Sequence, residues 1–481
     1  MKKEKMFEIL GKIDDKSVNE AYETKKTNRP AVMRWVAAAA CLVLLAGAAF
    51  GISSIFRKRN TGVSEETLGL TMYLADYPEK TGEGMSSEAF MEGEGYYDWW
   101  KQYIEKIQKS EHLQSDLQGF YQKMMEKLVA SDDENTVCSP INTYIAFSML
   151  AEVTDGNTRQ QLLDVLGVPD IGTLRKNVAL IWNGNYADTP VLKSLLANSI
   201  WMREGLKYNE KTLKTLCENY YASSFIGDTG SKEMAEALRK WIDDNTGGLL
   251  TEYTKDIGMD PDTVMEIVST LYFKAGWTEP FYSKFTDEET FHGSKGDTTV
   301  NMMHKTYMTG VYKSSKFTAV GIPLTDSGEM HFILPKEDID ISELVSDPEI
   351  FKSLKFDNED ERWSAPLVNL SLPRFRVSKK YDLKDIMKEL RLTDVFAPDR
   401  SDFTPLTSDT ENLYVSKADH AAMIEIDEEG VTGAAYTDIA VAEGAAEPDD
   451  EIDLVFDRPF MFIVTGKDGS ILFSGIVRNI D

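Results

Sequence analysis

The sequence predicts an α+β protein in which helices come first and strands follow. Three observations carry that prediction. From Tyr97 to about Asn245 the apolar residues recur at helical spacing, as in Phe120, Met124 and Leu128. From Val264 onward they fall into short or alternating runs bounded by Gly, Pro and Asp. After Glu429 comes a run of small residues too long for an ordinary loop.

The 481 residues carry 80 acidic and 52 basic side chains, a formal charge of -28. A field of that sign repels nucleic acid and anionic lipid, so nucleic acid is not an expected partner. Residues 1–33 form a charged tail short of core-forming residues. Trp35 to Phe56 is 22 residues without a charge, enough to cross roughly 30 Å of hydrocarbon as a helix. Residues 34–56 are therefore expected to anchor the chain in a bilayer by a single pass.

Lys16, Lys25, Lys26, Arg29 and Arg34 precede this run, and only Arg57, Lys58 and Arg59 follow it closely. The bias keeps the N-terminus cytoplasmic and places the rest outside the cell. Ala46-Gly47-Ala48 offers the alternative of a cleaved signal and a secreted product, although a 34-residue leader is long for one. Cys41 lies within the apolar run and not after it, which argues against a lipoprotein anchor. Residues 57–111 then read as an extracytoplasmic linker and juxtamembrane segment, since Asn60 to about Gly95 is rich in Glu, Gly, Ser and Thr. The globular domain is expected over residues 112–481.

Within that domain Phe120, Met124 and Leu128 mark a first helix. A second follows Ser139-Pro140 and carries Tyr144, Ile145, Phe147, Met149 and Leu150. Thr158 and Gln161 read as a capping box opening a helix with Leu162, Leu163, Val165 and Leu166, which Gly167 should end. A longer helix is expected near Met234 to Asn245. Strands follow at Val264–Phe273, Val300–Met303, Met330–Leu334 and Val368–Leu372, then a helix near Leu383–Leu390, then strands from Leu413 to the end. Partner strands so far apart in sequence imply slow folding. A slow-folding chain can be held above its lowest free energy.

The small-residue run is the least ordinary feature. Ile424 and Ile426 alternate with Glu425 and Asp427, as in a half-buried strand. From Gly430 to Glu447, thirteen of eighteen residues are Gly, Ala, Val or Thr, with no hairpin turn to close the segment. Odd positions give Val431, Gly433, Ala435, Thr437, Ile439 and Val441, all uncharged, while Tyr436 and Asp438 fall on the even side. Alternate residues point to opposite faces of a strand, so one face is fit for burial. Extended, Val431 to Gly444 would span roughly 46 Å. The competing reading is a flexible linker.

Catalytic motifs are missing. The sequence has no G-x-S-x-G, no G-x-x-x-x-G-K-[ST], no H-E-x-x-H and no C-x-x-C. His112, His292, His304, His331 and His420 stand apart, and Cys41, Cys138 and Cys217 lack the spacing of a disulfide framework or a zinc site. Asp243-Asp244-Asn245-Thr246-Gly247 lacks the later ligands of a calcium loop and reads as a helix end. Neither enzyme activity nor a cofactor or metal is expected.

His420, the run Ile424-Glu425-Ile426-Asp427-Glu428-Glu429-Gly430 and the small residues after it resemble the hinge and reactive loop of a serpin. Phe456-Asp457-Arg458-Pro459-Phe460 and Ile471-Leu472-Phe473-Ser474-Gly475 resemble that family's closing hairpin. Asn135–Asn142, Gly156-Asn157-Thr158, Leu196–Trp201, Tyr272–Trp277 and Val300–Met303 occur in the family's order. With the apolar run, the chain resembles a membrane-anchored bacterial serpin.

The resemblance implies a serpin-like fold with three β-sheets, about eight or nine helices and an exposed reactive loop. It also implies an irreversible suicide-substrate inhibitor of serine proteases, acting as a monomer. A protease would cut the loop, form an acyl-enzyme, and be dragged aside as the freed loop inserts into the main sheet. By the same resemblance Glu428, Glu429, Gly430, Val431, Thr432, Gly433, Ala434 and Ala435 form the hinge. Ser139, Asn198 and His420 lie where the sheet opens. Asn142 and Tyr436 depart from the family's usual residues.

The bond attacked is expected within Val441, Ala442, Glu443, Gly444, Ala445 and Ala446. Counting from the hinge gives Gly444-Ala445, whereas counting back from Pro459 gives a bond near Pro448. Small side chains there suit an elastase-like protease, and Glu443 suits a glutamate-preferring one. The alternative is a non-inhibitory serpin-fold surface binding protein, cut as a plain substrate.

Overall fold

Seven of the twelve α-helical segments among the described residues have ten residues or more, and five are short. The structure is a computed structural model, describing residues 70–130, 133–255, 257–431 and 451–480. The tail 1–33, the anchor 34–56, hinge residues Thr432 to Ala435 and the reactive-bond candidates Val441 to Ala446 lie outside the described residues.

Helix Gln114–Leu128 buries Leu117, Phe120, Tyr121, Met124, Met125 and Leu128, the stripe that its spacing demands. Pro140–Glu152 begins on a proline, whose fixed φ and missing N–H suit a first turn. It is buried almost all round because it packs against both Met265–Gly276 and Ile471–Val477. Gly156–Leu166 stops at Gly167, which adopts φ +74°.

That helix does not begin with the expected capping box. Asp155 is its N-cap, and Thr158 is buried with its hydroxyl accepting the Asp402 N–H. Gln161 Oε1 accepts the N–H groups of Thr393 and Asp394. Partners more than two hundred residues away have claimed both side chains, which a local pattern does not foresee.

The strands form three sheets. The main sheet contains β1 (Thr71–Tyr73), β2 (Leu192–Arg203), β3 (Ala222–Gly227), β4 (Met265–Gly276), β5 (Phe375–Asp382), β6 (Asp419–Ile426) and β7 (Gly430–Val431). Its path runs β1-β3-β2-β4-β7-β6-β5, with Ala187–Asp188 beside β2. A seven-stranded sheet includes the terminal hairpin Phe460–Thr465 and Ile471–Val477 beside its central strand Glu329–Pro335, and a four-stranded sheet places Glu451–Val455 beside Leu367–Pro373.

The large core fills the space between the first two sheets, where Phe273 meets Phe473 and Phe375 meets Phe460 and Phe462. A smaller core lies on the other face of β2, where helix Lys232–Asn245 lays Met234, Leu238 and Trp241 over Trp201 and Phe225.

The stretch read as a tether carries structure from Leu70 onward. Thr71 and Tyr73 pair with Phe225 and Ser224 at the sheet's edge. Tyr77 lies against Trp182 and Tyr186, and helix Glu94–Ser110 packs on Ile171–Asn185. A few aromatic rings among the polar residues are enough to order it, since each carries a large apolar area.

Candidate functional site

The two residues of β7 hold the main sheet together. Gly430 pairs with Gly276, and Val431 pairs with Ala275 on one side and Ile426 on the other. Because β7 is antiparallel to both β4 and β6, those two strands run parallel to each other. Among the described residues, β7 is the one strand linking the two halves of the sheet.

Local chemistry brings the chain to that position. Asp427 Oδ1 accepts the N–H groups of Glu429 at 2.9 Å and Gly430 at 3.2 Å, a turn typical of aspartate. Trp277 donates its backbone N–H to the Glu429 carbonyl and its indole N–H to the Asp427 carbonyl, each at 2.9 Å. Glycine is required at 430: a Cβ there would lie 2.7 Å from Gly276 Cα and overlap the Ala275 carbonyl.

Glu428 points back into the protein. Its carboxylate pairs with Arg374 and accepts the Thr286 hydroxyl at 2.6 Å. Burial alone would raise the carboxyl's pKa, but the bonds from Arg374 and Thr286 outweigh it and hold the pKa below the usual carboxylate range. The carboxylate therefore stays charged, and the turn stays clasped.

A second group of residues lies lower in the sheet. The backbone N–H of Ser139 donates to His420 Nε2, and the Tyr381 ring stacks on the imidazole. Burial pulls the His420 pKa down to about 4, so the ring is neutral at pH 7. Since Nε2 accepts, the proton sits on Nδ1. Asn198 pairs in register with Ser269 of β4 and donates to the Tyr220 carbonyl. Ser269 in turn exchanges hydrogen bonds with Asn142.

Ser139 and His420, expected together, are in direct contact, and Asn198 lies on β2, with β4 between it and the gap. The Ser139 hydroxyl and Asn198 Oδ1 are buried without a hydrogen-bond partner among the described residues. A cavity opens between β4 and β6 at this level, with Ser139, Asn142 and Ser269 in its wall. Asn142, a departure from the family's usual residue, thus takes part in the same polar cluster. Sequence reasoning gave no role to Trp277, Thr286 or Arg374, because no local pattern couples them to Glu428.

Catalytic geometry is poor by comparison. His304 contacts Ser371 at 2.9 Å and Glu289 at 3.1 Å. Ser371, however, lies mid-strand between two paired neighbours, so its backbone N–H is not set out as an oxyanion donor. Among the described residues, no group of three or more His, Cys, Asp or Glu is placed to hold a metal, and no helix is long and apolar enough to cross a membrane.

Residues 115–480 match the family model described as Serpin (serine protease inhibitor). The chain is 29% identical over 368 residues to Serpin-ZX of Arabidopsis thaliana, covering 72% of this chain and 92% of that protein. It is 28% identical over 382 residues to Antithrombin-III of Homo sapiens, covering 75% and 79%. Among solved structures, it resembles the thermophilic serpin Tengpin in its native state, with a TM-score of 0.68 and 23% identity over 76% of this chain and 93% of that one. Arabidopsis AtSerpin1 in its native stressed conformation gives a TM-score of 0.63 and 26% identity over 78% and 98%.

Proposed function

Because the chain belongs to the serpin family, we propose that it is a suicide-substrate inhibitor of serine proteases and not itself an enzyme. The observation that carries this reading is β7: two residues already seated between parallel strands, as the first rungs of a ladder that can be extended. The protease serine attacks a bond within Val441 to Ala446 and forms an acyl-enzyme. The freed chain from Thr432 onward then runs down between β4 and β6, carrying the protease with it.

The register set by Val431 tests whether that strand would fit. Continued downward, an inserted strand would bring Gly433 opposite Phe273 and Ile424, Ala435 opposite Leu271 and Ala422, and Thr437 opposite Ser269 and His420. Phe273, Ala422, Ile424 and His420 are buried, so on insertion the uncharged face of the loop would meet the core. Burial of Ile439 and Val441 would contribute about 1.5 to 3 kcal/mol each, whereas an unpaired charge on that face would cost several.

Small residues around the reactive bond favour an elastase-like target. The run 34–56 favours display on the outside of a membrane, with secretion after cleavage as the alternative. The test is incubation with pancreatic and neutrophil-type elastases, followed by a denaturing gel and mass spectrometry of the released peptide. A complex stable in SDS and a cut between 441 and 446 support the proposal. Cutting without a complex, and with an unchanged melting temperature, overturns it.

A further inference from the structure

The cavity between β4 and β6 has a second wall that the polar cluster does not use. On the side away from the large core, Thr246, Leu249 and Leu250 reach over it from the segment that follows helix Lys232–Asn245, and Met423 and Ala421 border it from β6. The two faces of β4 are distinguished by their neighbours. Phe273 packs on Phe473 in the core, whereas the Tyr272 ring lies against Gly247 on the opposite side.

Val431 belongs to the core face, buried beside Ala275 and Ile426. Five residues further along an extended chain, position 436 is opposite Thr270, five before Ala275, and Ala421, five before Ile426. Both border the cavity. An odd step from Val431 turns that side chain to the other face, toward Leu249 and Leu250. The residue at 436 is tyrosine, the one aromatic residue between Gly430 and Glu447.

Building on the insertion proposed above, we infer that this cavity is the seat of the Tyr436 ring. Ala421 and Thr270 flank the place with small side chains, and Leu249, Leu250 and Met423 supply an apolar wall, so the ring would enter as the strands part. The Thr246 hydroxyl, which donates to the Ile242 carbonyl, keeps a lone pair for the phenol. Tyr436 is thus a positioning residue with two opposed effects. To seat, the ring must pass beneath residues 246–250, which slows insertion; once seated, it holds the inserted strand.

The experiment cuts the full chain with pancreatic elastase and compares melting temperatures before and after. The variants are wild type, Tyr436→Phe, Tyr436→Ala, Leu249→Ala/Leu250→Ala and the triple variant. Wild type is expected to gain the largest increment, and Tyr436→Phe nearly as much, short only of the phenol's bond to Thr246. Tyr436→Ala should gain several degrees less while yielding more complex per molecule cut, because its insertion is faster. The triple variant should lose no more than the larger of its parents, since contacts shared by one ring are not additive. The uncut melting temperatures control for folding of each variant. A full gain in Tyr436→Ala, or strictly additive losses, overturns this inference and leaves the insertion proposal standing. No gain in wild type overturns both.

Discussion

The backbone N–H of Ser139 donates to His420 Nε2 at 3.0 Å, joining residues 281 positions apart beneath the gap between β4 and β6. A protonated imidazole has no lone pair to accept that bond, so the contact depends on pH.

Burial lowers the His420 pKa from 6.5 to about 4. The unfolded chain therefore takes up the proton first, and the stabilisation is complete above pH 6.5 and lost as pH falls toward 4. His331, buried and lowered to about 4 as well, adds a loss in the same window. For each histidine the total is on the order of 3 kcal/mol. Denaturant unfolding at pH 7, 5.5 and 4.5 should show a shallower fall for His420→Gln than for wild type. Equal slopes would show that His420 does not titrate in this window.

Arg374→Ala is expected to loosen the hinge. It leaves the largely buried Glu428 carboxylate with Thr286 and no cation, at a cost of about 1–3 kcal/mol. The uncut protein should melt lower and lose inhibitory capacity faster on storage at 37 °C. Arg374→Lys, which restores the charge, should recover most of both. An unchanged rate of loss in Arg374→Ala would mean that the ion pair does not restrain β7.

Ala435→Glu sets a charge on the face that must enter the sheet opposite Leu271 and Ala422. Loop cutting should proceed at the wild-type rate, because residue 435 lies well before the reactive bond. The yield of SDS-stable complex should fall by an order of magnitude or more, with free cut protein in its place. Densitometry of the two bands gives the ratio directly, and a wild-type ratio would show that the uncharged face is not needed.

Local signals were legible in the sequence wherever a residue's partners are its own neighbours. Gly167 ends a helix as its type requires, Ser139-Pro140 starts one, and the alternation of Ile424 and Ile426 appears as β6. Contacts across long stretches of sequence were not legible. Arg374 carries no sign that Glu428 is its partner, and Thr158 with Gln161 looks like a local cap until residues 393–402 fold against them. Leu70, Met72, Tyr73, Leu74 and Ala75 make a short apolar run inside the stretch read as a tether, and nothing beside it names the distant strand at Phe225 and Ser224 that it joins. Cys217 likewise lies half-buried with its Sγ against the Leu74 carbonyl at 3.2 Å, a contact across more than a hundred residues.

The strand Thr71–Tyr73 also bears on behaviour at high concentration. With one flank of the main sheet occupied, Phe375–Asp382 is the strand that ends it on the other side. Its exposed positions include Arg376, Ser378, Lys380 and Asp382. Bare flanks recruit neighbouring molecules unless charge repels them. A second molecule pairing here in parallel and in matched alignment would bring Arg376 and Lys380 against their own copies, which disfavours that mode of edge-to-edge growth.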